Sequence, residues 1–348
     1  MTTSPRWNQR PEGSTWGDWG PDDQLGRLNL LTTETVKLGI AEVKEGRTFC
    51  LSLPLDYPGL AKLNPRRHPP RLQPTYRDGK PYVNFPLSLN HKGFIDVVSD
   101  DQALICLQYS TQWDSFAHVG QVFDADGDGK AEMVYYNGYR AWEDVLGPIE
   151  YRDGEEIKRD VDTGARALGI ENMAAKCVQG RGVMIDLLHH YGWDRTVVSY
   201  DQLMRVLEKD KVVVEQGDLV CIRTGFSDLL LQMKKQPDAE KLAKSCAALD
   251  GRDGKLLNWI TDSGLVVLIS DNYAVEHFPA LVVDDPCCAL PLHNHCLFRL
   301  GVHLGEMFLL SPLADWLRAN NRTRFLLTAP PLRLPGAVGS PANPIATV

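Results

Sequence analysis

Gly182-Val183-Met184-Ile185-Asp186-Leu187-Leu188 is an apolar run holding a single acid. It has the length of a strand and too little polar alternation for one that faces water on one side. Two runs of the same kind follow, Leu219-Val220-Cys221-Ile222-Arg223-Thr224 and Leu265-Val266-Val267-Leu268-Ile269-Ser270. Helical patterns separate them: Ser199-Tyr200-Asp201-Gln202 has capping-box spacing for a helix reaching about residue 209, and residues 250–260 read as another helix. Residues 313–319 continue as helix and 324–328 as strand. Towards the amino terminus, Thr33 caps a helix over residues 34–44 that Gly46 stops, before a strand around residues 49–53. Strands and helices in alternation predict an α/β fold, with a central sheet and flanking helices. The third run ends at Asp271-Asn272, and polar residues at the carboxyl end of such a strand suit a site. His189-His190 breaks the rhythm. Consecutive side chains diverge on strand or helix, so a turn with one exposed imidazole is expected, a ligand pair being the alternative.

The 348 residues are 43% hydrophobic, ample for a sizeable core, and the net charge of −8 is spread without long runs. That balance argues against nucleic acid or an anionic membrane as partner and leaves a small molecule as the expected one. The opening ten residues lack an apolar signal-peptide core, and no later stretch has the length of a membrane span, so a cytoplasmic protein is expected. Eight cysteines, none in a Cys-x-x-Cys pair, read as reduced core thiols, the adjacent Cys287-Cys288 included. No Walker loop or Gly-x-Gly-x-x-Gly turn implies a nucleotide cofactor.

Chemistry concentrates in Gln108-Tyr109-Ser110-Thr111-Gln112-Trp113-Asp114-Ser115-Phe116-Ala117-His118. The apolar run at residues 103–107 reads as a short buried strand that delivers this cluster. Were the strand to continue, Gln112, Asp114, Phe116 and His118 would share a face, within reach of one metal or one substrate. Structural duties for Asp114 and His118 are the competing reading. The proline-rich stretch 58–81 is expected to be a long surface loop, whose Arg66, Arg67 and Arg71 could meet a substrate carboxylate. Beyond His118, Asp124, Asp126 and Asp128 imitate the start of a calcium loop. Position twelve holds Tyr135 where a bidentate Glu is needed, so an Asp-Gly hairpin is the favoured reading.

The Gln108–His118 stretch resembles the His-x-Gly-Thr-His-x-Asp-x-Pro-x-His signature of the metal-dependent cyclase family, which includes bacterial kynurenine formamidases and isatin hydrolases. Thr111, Asp114 and His118 match, whereas Gln108, Ser110, Gln112 and Phe116 replace His, Gly, His and Pro. The Thr-Gln-Trp-Asp form resembles a branch labelled simply cyclase. So do the pattern from Trp19-Gly20 to Asn29-Leu30-Leu31-Thr32, the Tyr136-Asn137-Gly138-Tyr139 element and the Gly- and Pro-rich ending from Gly336. The His293…Glu306 segment is similar to the His…Gly-x-x-x-x-Glu pattern that completes the family's metal centre, with His295 and His303 as rivals to His293.

The resemblance runs from Trp16 nearly to the end, which implies a tail, 1–15, and one domain, 16–348, of the swivelling β/β/α type with a mixed sheet, in a homo-oligomer. It implies Asp114, His293 and Glu306 as metal ligands, Gln112 offering an amide oxygen where relatives have imidazole, and His118 as general acid/base. Trp113, Trp19 and Gln108 are the substrate-contact candidates. Amide oxygen is a harder, weaker donor, so one divalent ion (Mn, Zn or Mg) is expected rather than two. The implied reaction is hydrolysis of a C–N bond in a small cyclic or aromatic amide, imide or formamide. Loss or addition of water by a cyclase, or a catalytically silent binding protein on the same scaffold, are the alternatives.

Overall fold

The computed structural model describes residues 6–348 apart from residues 153, 281, 284 and 285; the first five residues of the expected tail lie outside the described residues. Nine strands form one mixed sheet: β1 (Thr48–Cys50), β2 (Gln112–Asp114), β3 (Gln179–Asp186), β4 (Leu219–Arg223), β5 (Val267–Ser270), β6 (His303–Glu306), β7 (Arg324–Thr328), β8 (Gly339–Pro341) and β9 (Ile345–Thr347). Their order across the sheet is β1-β9-β7-β3-β4-β5-β6-β2-β8. The centre, β3-β4-β5-β6, is parallel, and antiparallel strands extend it on both sides. Parallel strands need both faces covered, which is why β4 and β5 are buried along their whole length and read as uninterrupted apolar runs.

Helices α2 (Tyr200–Asp210) and α3 (Gly254–Ser263) supply Leu203, Val206, Leu256 and Ile260 to the core on one face of the sheet. Helix α4 (Ser311–Ala319) supplies Leu313, Ala314 and Leu317 to the core on the other. The Ser199–Gln202 capping box starts α2 as the sequence predicts. At α1 (Thr33–Ile40) the cap is one residue earlier, Thr32, whose hydroxyl accepts from Thr35 N. This helix lies so close to β3 that a side chain at Gly39 would meet the Gly180 backbone at 2.6 Å. His189 is exposed at a short helical turn, and the neighbouring His190 Nε2 stands 3.0 Å from Asp210.

Three expectations need correction. Residues 103–107 are no buried strand: Asp101–Leu104 pairs with Arg71–Pro74 in an exposed ribbon, with Leu104 69% exposed. For the same reason 58–81 is not all loop, since strands begin at Arg71. All eight cysteines are free thiols, but only Cys221, Cys246 and Cys296 are buried. Apolar character says that a residue can be covered; it does not say by what. No helix among the described residues is long and apolar enough to cross a membrane.

Candidate metal centre

Strand β2 is fully buried between β6 and β8. Its register sets Asp114 opposite Leu304 and Gln112 opposite Glu306, so Gln112, Asp114 and Glu306 project from one face. Trp113, on the other face, is wholly buried; its Nε1 donates to Ala329 O at 2.8 Å and its ring meets Phe308 edge-on at 5.4 Å. Thr111 pins the strand's start, donating to Met307 O at 2.6 Å and accepting from Leu53 N at 2.9 Å.

The strand does not run on to His118. After Asp114 the chain turns: Ser115 Oγ donates to Val338 O at 3.0 Å, and His118 N donates to Ser115 O at 3.0 Å. The turn returns His118 Nε2 to 3.8 Å from Asp114 Oδ1, with 23% of the imidazole side chain open to solvent. Proximity comes from a turn, not from strand periodicity.

His293 arrives from the short turn Pro291–His293, which leads into a π-helical stretch, Asn294–Leu300. Its Nε2 lies 3.2 Å from Glu306 Oε1 and 4.0 Å from Asp114 Oδ2. The other ring nitrogen, Nδ1, is 2.8 Å from Glu276 Oε1, and Glu276 also accepts from Leu292 N at 2.9 Å and His293 N at 3.0 Å. Candidate ligand atoms of Asp114, His293 and Glu306 all lie within 4.8 Å of one another. Gln112 Nε2 donates to Glu306 Oε2 at 3.0 Å, which leaves its Oε1 free.

Electrostatics follow from packing two of these acids against one imidazole in a buried site. Burial pushes the Asp114 carboxyl above its ordinary value; His118 opposes the shift and Glu306 adds to it. Burial acts on Glu306 in the same direction, but the hydrogen bond and charge of His293, then the charge of Arg67, hold it below the usual range. Burial alone would lower His293; its hydrogen bonds to Glu276 and then Glu306 outweigh that and lift it to about 10.

The donor set fits a cation. Both carboxylate oxygens of Asp114 and Oε1 of Gln112 are buried and accept no hydrogen bond. A buried polar group without a partner costs about 1–3 kcal/mol, and more when charged. A cation among these atoms would satisfy all three. Three oxygen donors and one nitrogen form a set that a divalent cation accepts.

Among the other candidates, Gln108 lies beside Gly339, the β8 partner of Asp114. Its carbonyl accepts from Arg67 at 2.7 Å, and it shares a cleft with Asn64, Arg67, Tyr109, Tyr273 and Met307. Trp113 is a core residue rather than a substrate contact, because strand alternation turns it away from Asp114. Trp19 is half-buried in the turn that Gly17 and Gly20 bridge, a turn tied to Asn137, while Trp16 is core against Phe298. His295 bonds Thr261 at 2.9 Å, and His303 Nδ1 donates to the Asp114 carbonyl at 2.8 Å, so His293 alone of the three joins the cluster. Arg66 and Arg71 are exposed. Sequence reasoning missed Glu276 and did not single out Arg67 from its neighbours. Arg67 stood in the sequence as one of three equivalent loop arginines. Glu276 had a faint signal, since it follows closely the polar carboxyl end of β5.

The sequence matches the family model described as "putative cyclase" over residues 50–277, about two thirds of the chain. No curated protein matches it. Among solved structures, one described as a novel cyclase is 29% identical with a TM-score of 0.72, covering 96% of this chain and 97% of the other. The isatin hydrolase A of Labrenzia aggregata is 14% identical with a TM-score of 0.53, covering 86% of this chain and 93% of the other. That of Ralstonia solanacearum, also 14% identical, has a TM-score of 0.52 and covers 86% and 91%. These two likenesses are likenesses of fold.

Proposed function

The chain belongs to the cyclase family of enzymes, and from that premise we propose that it is a hydrolase which adds water across a C–N bond of a small cyclic or aromatic amide, imide or formamide, at a single divalent cation. The observation that carries this reading is the buried set of oxygens without hydrogen-bond donors, on Asp114 and Gln112, facing His293 and Glu306.

Asp114, His293 and Glu306 would hold the ion, with the Gln112 amide oxygen as a further donor; when bound, it supplies Lewis acidity toward water and the substrate carbonyl. The chain's own groups do the rest. Glu276 accepts the proton on His293 Nδ1 and so keeps Nε2 as the lone-pair donor, fixing the ring as a carboxylate behind a metal-bound histidine does. His118, partly open to solvent beside Asp114, takes a proton from the attacking water at Nε2 and returns it to the departing nitrogen. The carbonyl carbon gains a C–O bond and loses its C–N bond; one proton of the water ends on the departing nitrogen and the other on the new carboxylic acid. Arg67 is near enough for its charge to act on both Asp114 and Glu306, and its guanidinium stands 5.9 Å from the Tyr273 ring centroid. It would receive the negative charge that builds on the carbonyl oxygen, and Tyr273 offers a face to a flat substrate.

The test is a turnover screen of the purified chain over lactams, cyclic imides, aryl formamides and lactones, with and without added manganese, magnesium or zinc. Product mass separates water gained from water lost. Cation-dependent hydrolysis of an amide-type member supports the reading. Cation-independent turnover, or a product lighter by one water, defeats it.

A further inference from the structure

The candidate ligands are not all held in the same way. Glu306 is steadied by Gln112 Nε2 at 3.0 Å, and His293 by Glu276 at 2.8 Å. Asp114 accepts no hydrogen bond at either carboxylate oxygen, so its main chain has to aim it. That main chain lies at a break: Asp114 ends β2, and the turn that returns His118 starts at Ser115.

His303 spans the break. It opens β6 and is 2% exposed. A carbonyl oxygen can only accept, so the 2.8 Å contact from His303 Nδ1 to Asp114 O puts the ring proton on Nδ1 and leaves Nε2 bare. The same ring lies flat on Phe116, with centroids 4.0 Å apart and planes at 20°. Tyr136 also packs on Phe116, at 4.9 Å, and its hydroxyl donates to Asp23 at 3.1 Å. One imidazole therefore grips this stretch twice, at the carbonyl before the turn and at a ring inside it.

Packing alone does not account for a histidine here. Its Nε2 is buried without a partner, which costs stability. A phenylalanine would fill the slot against Phe116 with no desolvated nitrogen. What the imidazole adds is the Nδ1 proton on Asp114. We propose that His303 is a positioning residue: it fixes the main chain between Asp114 and His118, so that the carboxylate faces the ion and the second imidazole stays beside it. Its action passes through Asp114 and Phe116. The proposal rests on the cation reading of the cluster, and on no particular reaction.

Two substitutions divide the two contacts. His303→Phe keeps a ring on Phe116 and removes the donor; His303→Asn offers an amide N–H at the position of Nδ1 and removes the stack. The full chain, freed of metal with chelator, is titrated with manganese by calorimetry, and each form is melted without metal. His303→Phe should melt within about 3 °C of wild type yet bind manganese about 10–100-fold more weakly, the usual loss when a group that holds a ligand in place is removed. His303→Asn should melt about 5 °C lower or more and bind within about threefold of wild type. Stability and affinity then rank the variants in opposite orders, whereas a histidine that only supported the fold would make affinity follow melting temperature. Wild type that binds no manganese removes the cation reading, and this proposal with it. Wild type that binds, beside a His303→Phe variant within about twofold of it, overturns the positioning role alone. So does a His303→Phe variant that melts far below wild type, or an affinity that falls in both variants in step with their melting.

Discussion

Among the described residues, two places gather three potential ligands within 4.8 Å of one another: the buried set Asp114, His293 and Glu306, and the surface set Asp124, Asp126 and Asp128. By spacing alone the surface set is the more conventional cation loop. Each of its aspartates, however, already accepts a backbone hydrogen bond. Asp124 Oδ1 accepts from Gly127 N at 2.8 Å and its Oδ2 from Gly129 N at 3.0 Å; Asp128 Oδ1 accepts from Lys130 N at 2.8 Å. The loop joins the antiparallel strands Gln121–Phe123 and Glu132–Val134, as a hairpin with Asx turns does. In the buried set, Asp114 has no hydrogen-bond donor for either oxygen. What separates a turn from a site is unmet demand, and the predictions that follow press on that difference.

The largest effect belongs to Asp114. Asp114→Ala should reduce cation content from about one per chain to near zero and abolish turnover, because it removes two of the three oxygens that lack a donor. Elemental analysis of protein purified without chelator measures it; equal metal in variant and wild type would remove the ligand set. His118→Ala should come next, with cation content kept and kcat reduced by about 10²–10⁴. A variant that retains its kcat would exclude His118 from proton transfer.

A smaller effect, read without any substrate, comes from His293. In chelator-treated protein its imidazolium lies between Glu276 and Glu306, and its pKa is raised from 6.5 to about 10. A cationic group raised on folding contributes stability that is fully present below pH 6.5 and lost as pH climbs through about 10. The melting temperature of chelated wild type should therefore fall across that window more steeply than that of His293→Gln. Parallel slopes would show that the imidazolium is not held as described. A cation needs the same Nε2 unprotonated, so its affinity should rise over the same pH range.

These tests also mark what was legible before any coordinates. The α/β half was legible because β3, β4 and β5, covered on both faces, must be written as unbroken apolar runs. The ribbon at residues 71–104 was not, since Ala103 and Leu104 have the same composition whether a core covers them or leaves them exposed. Asp114, His293 and Glu306 were proposed through family resemblance, but spacing alone left His295 as a rival to His293. Both spacings are acceptable, and the decision is made by Glu276, which takes the Leu292 and His293 amides and the His293 ring together. Trp113 was misread for a different reason. Next to a reactive residue in sequence means the opposite face of a strand, and an indole there packs against Phe308 instead of a ligand.

The smallest expected effect is at the surface loop, and its smallness is informative. Asp126→Ala/Asp128→Ala removes two carboxylates that make one backbone contact each, Asp126 accepting from Asp128 N at 3.2 Å and Asp128 from Lys130 N at 2.8 Å. Asp124, which makes the principal contacts of the turn, is kept. Loss of such partly exposed contacts costs about 0.5–1 kcal/mol, so the melting temperature should drop by a few degrees at most. Cation content and turnover should not change. Calcium decides between the two readings of the loop: if the aspartates only shape a hairpin, millimolar calcium shifts the melting temperatures of wild type and variant equally. Should calcium stabilise wild type and leave the variant unmoved, hydrogen-bonded carboxylates would be accepting an ion after all, and the criterion separating the two clusters would fail at its weaker member.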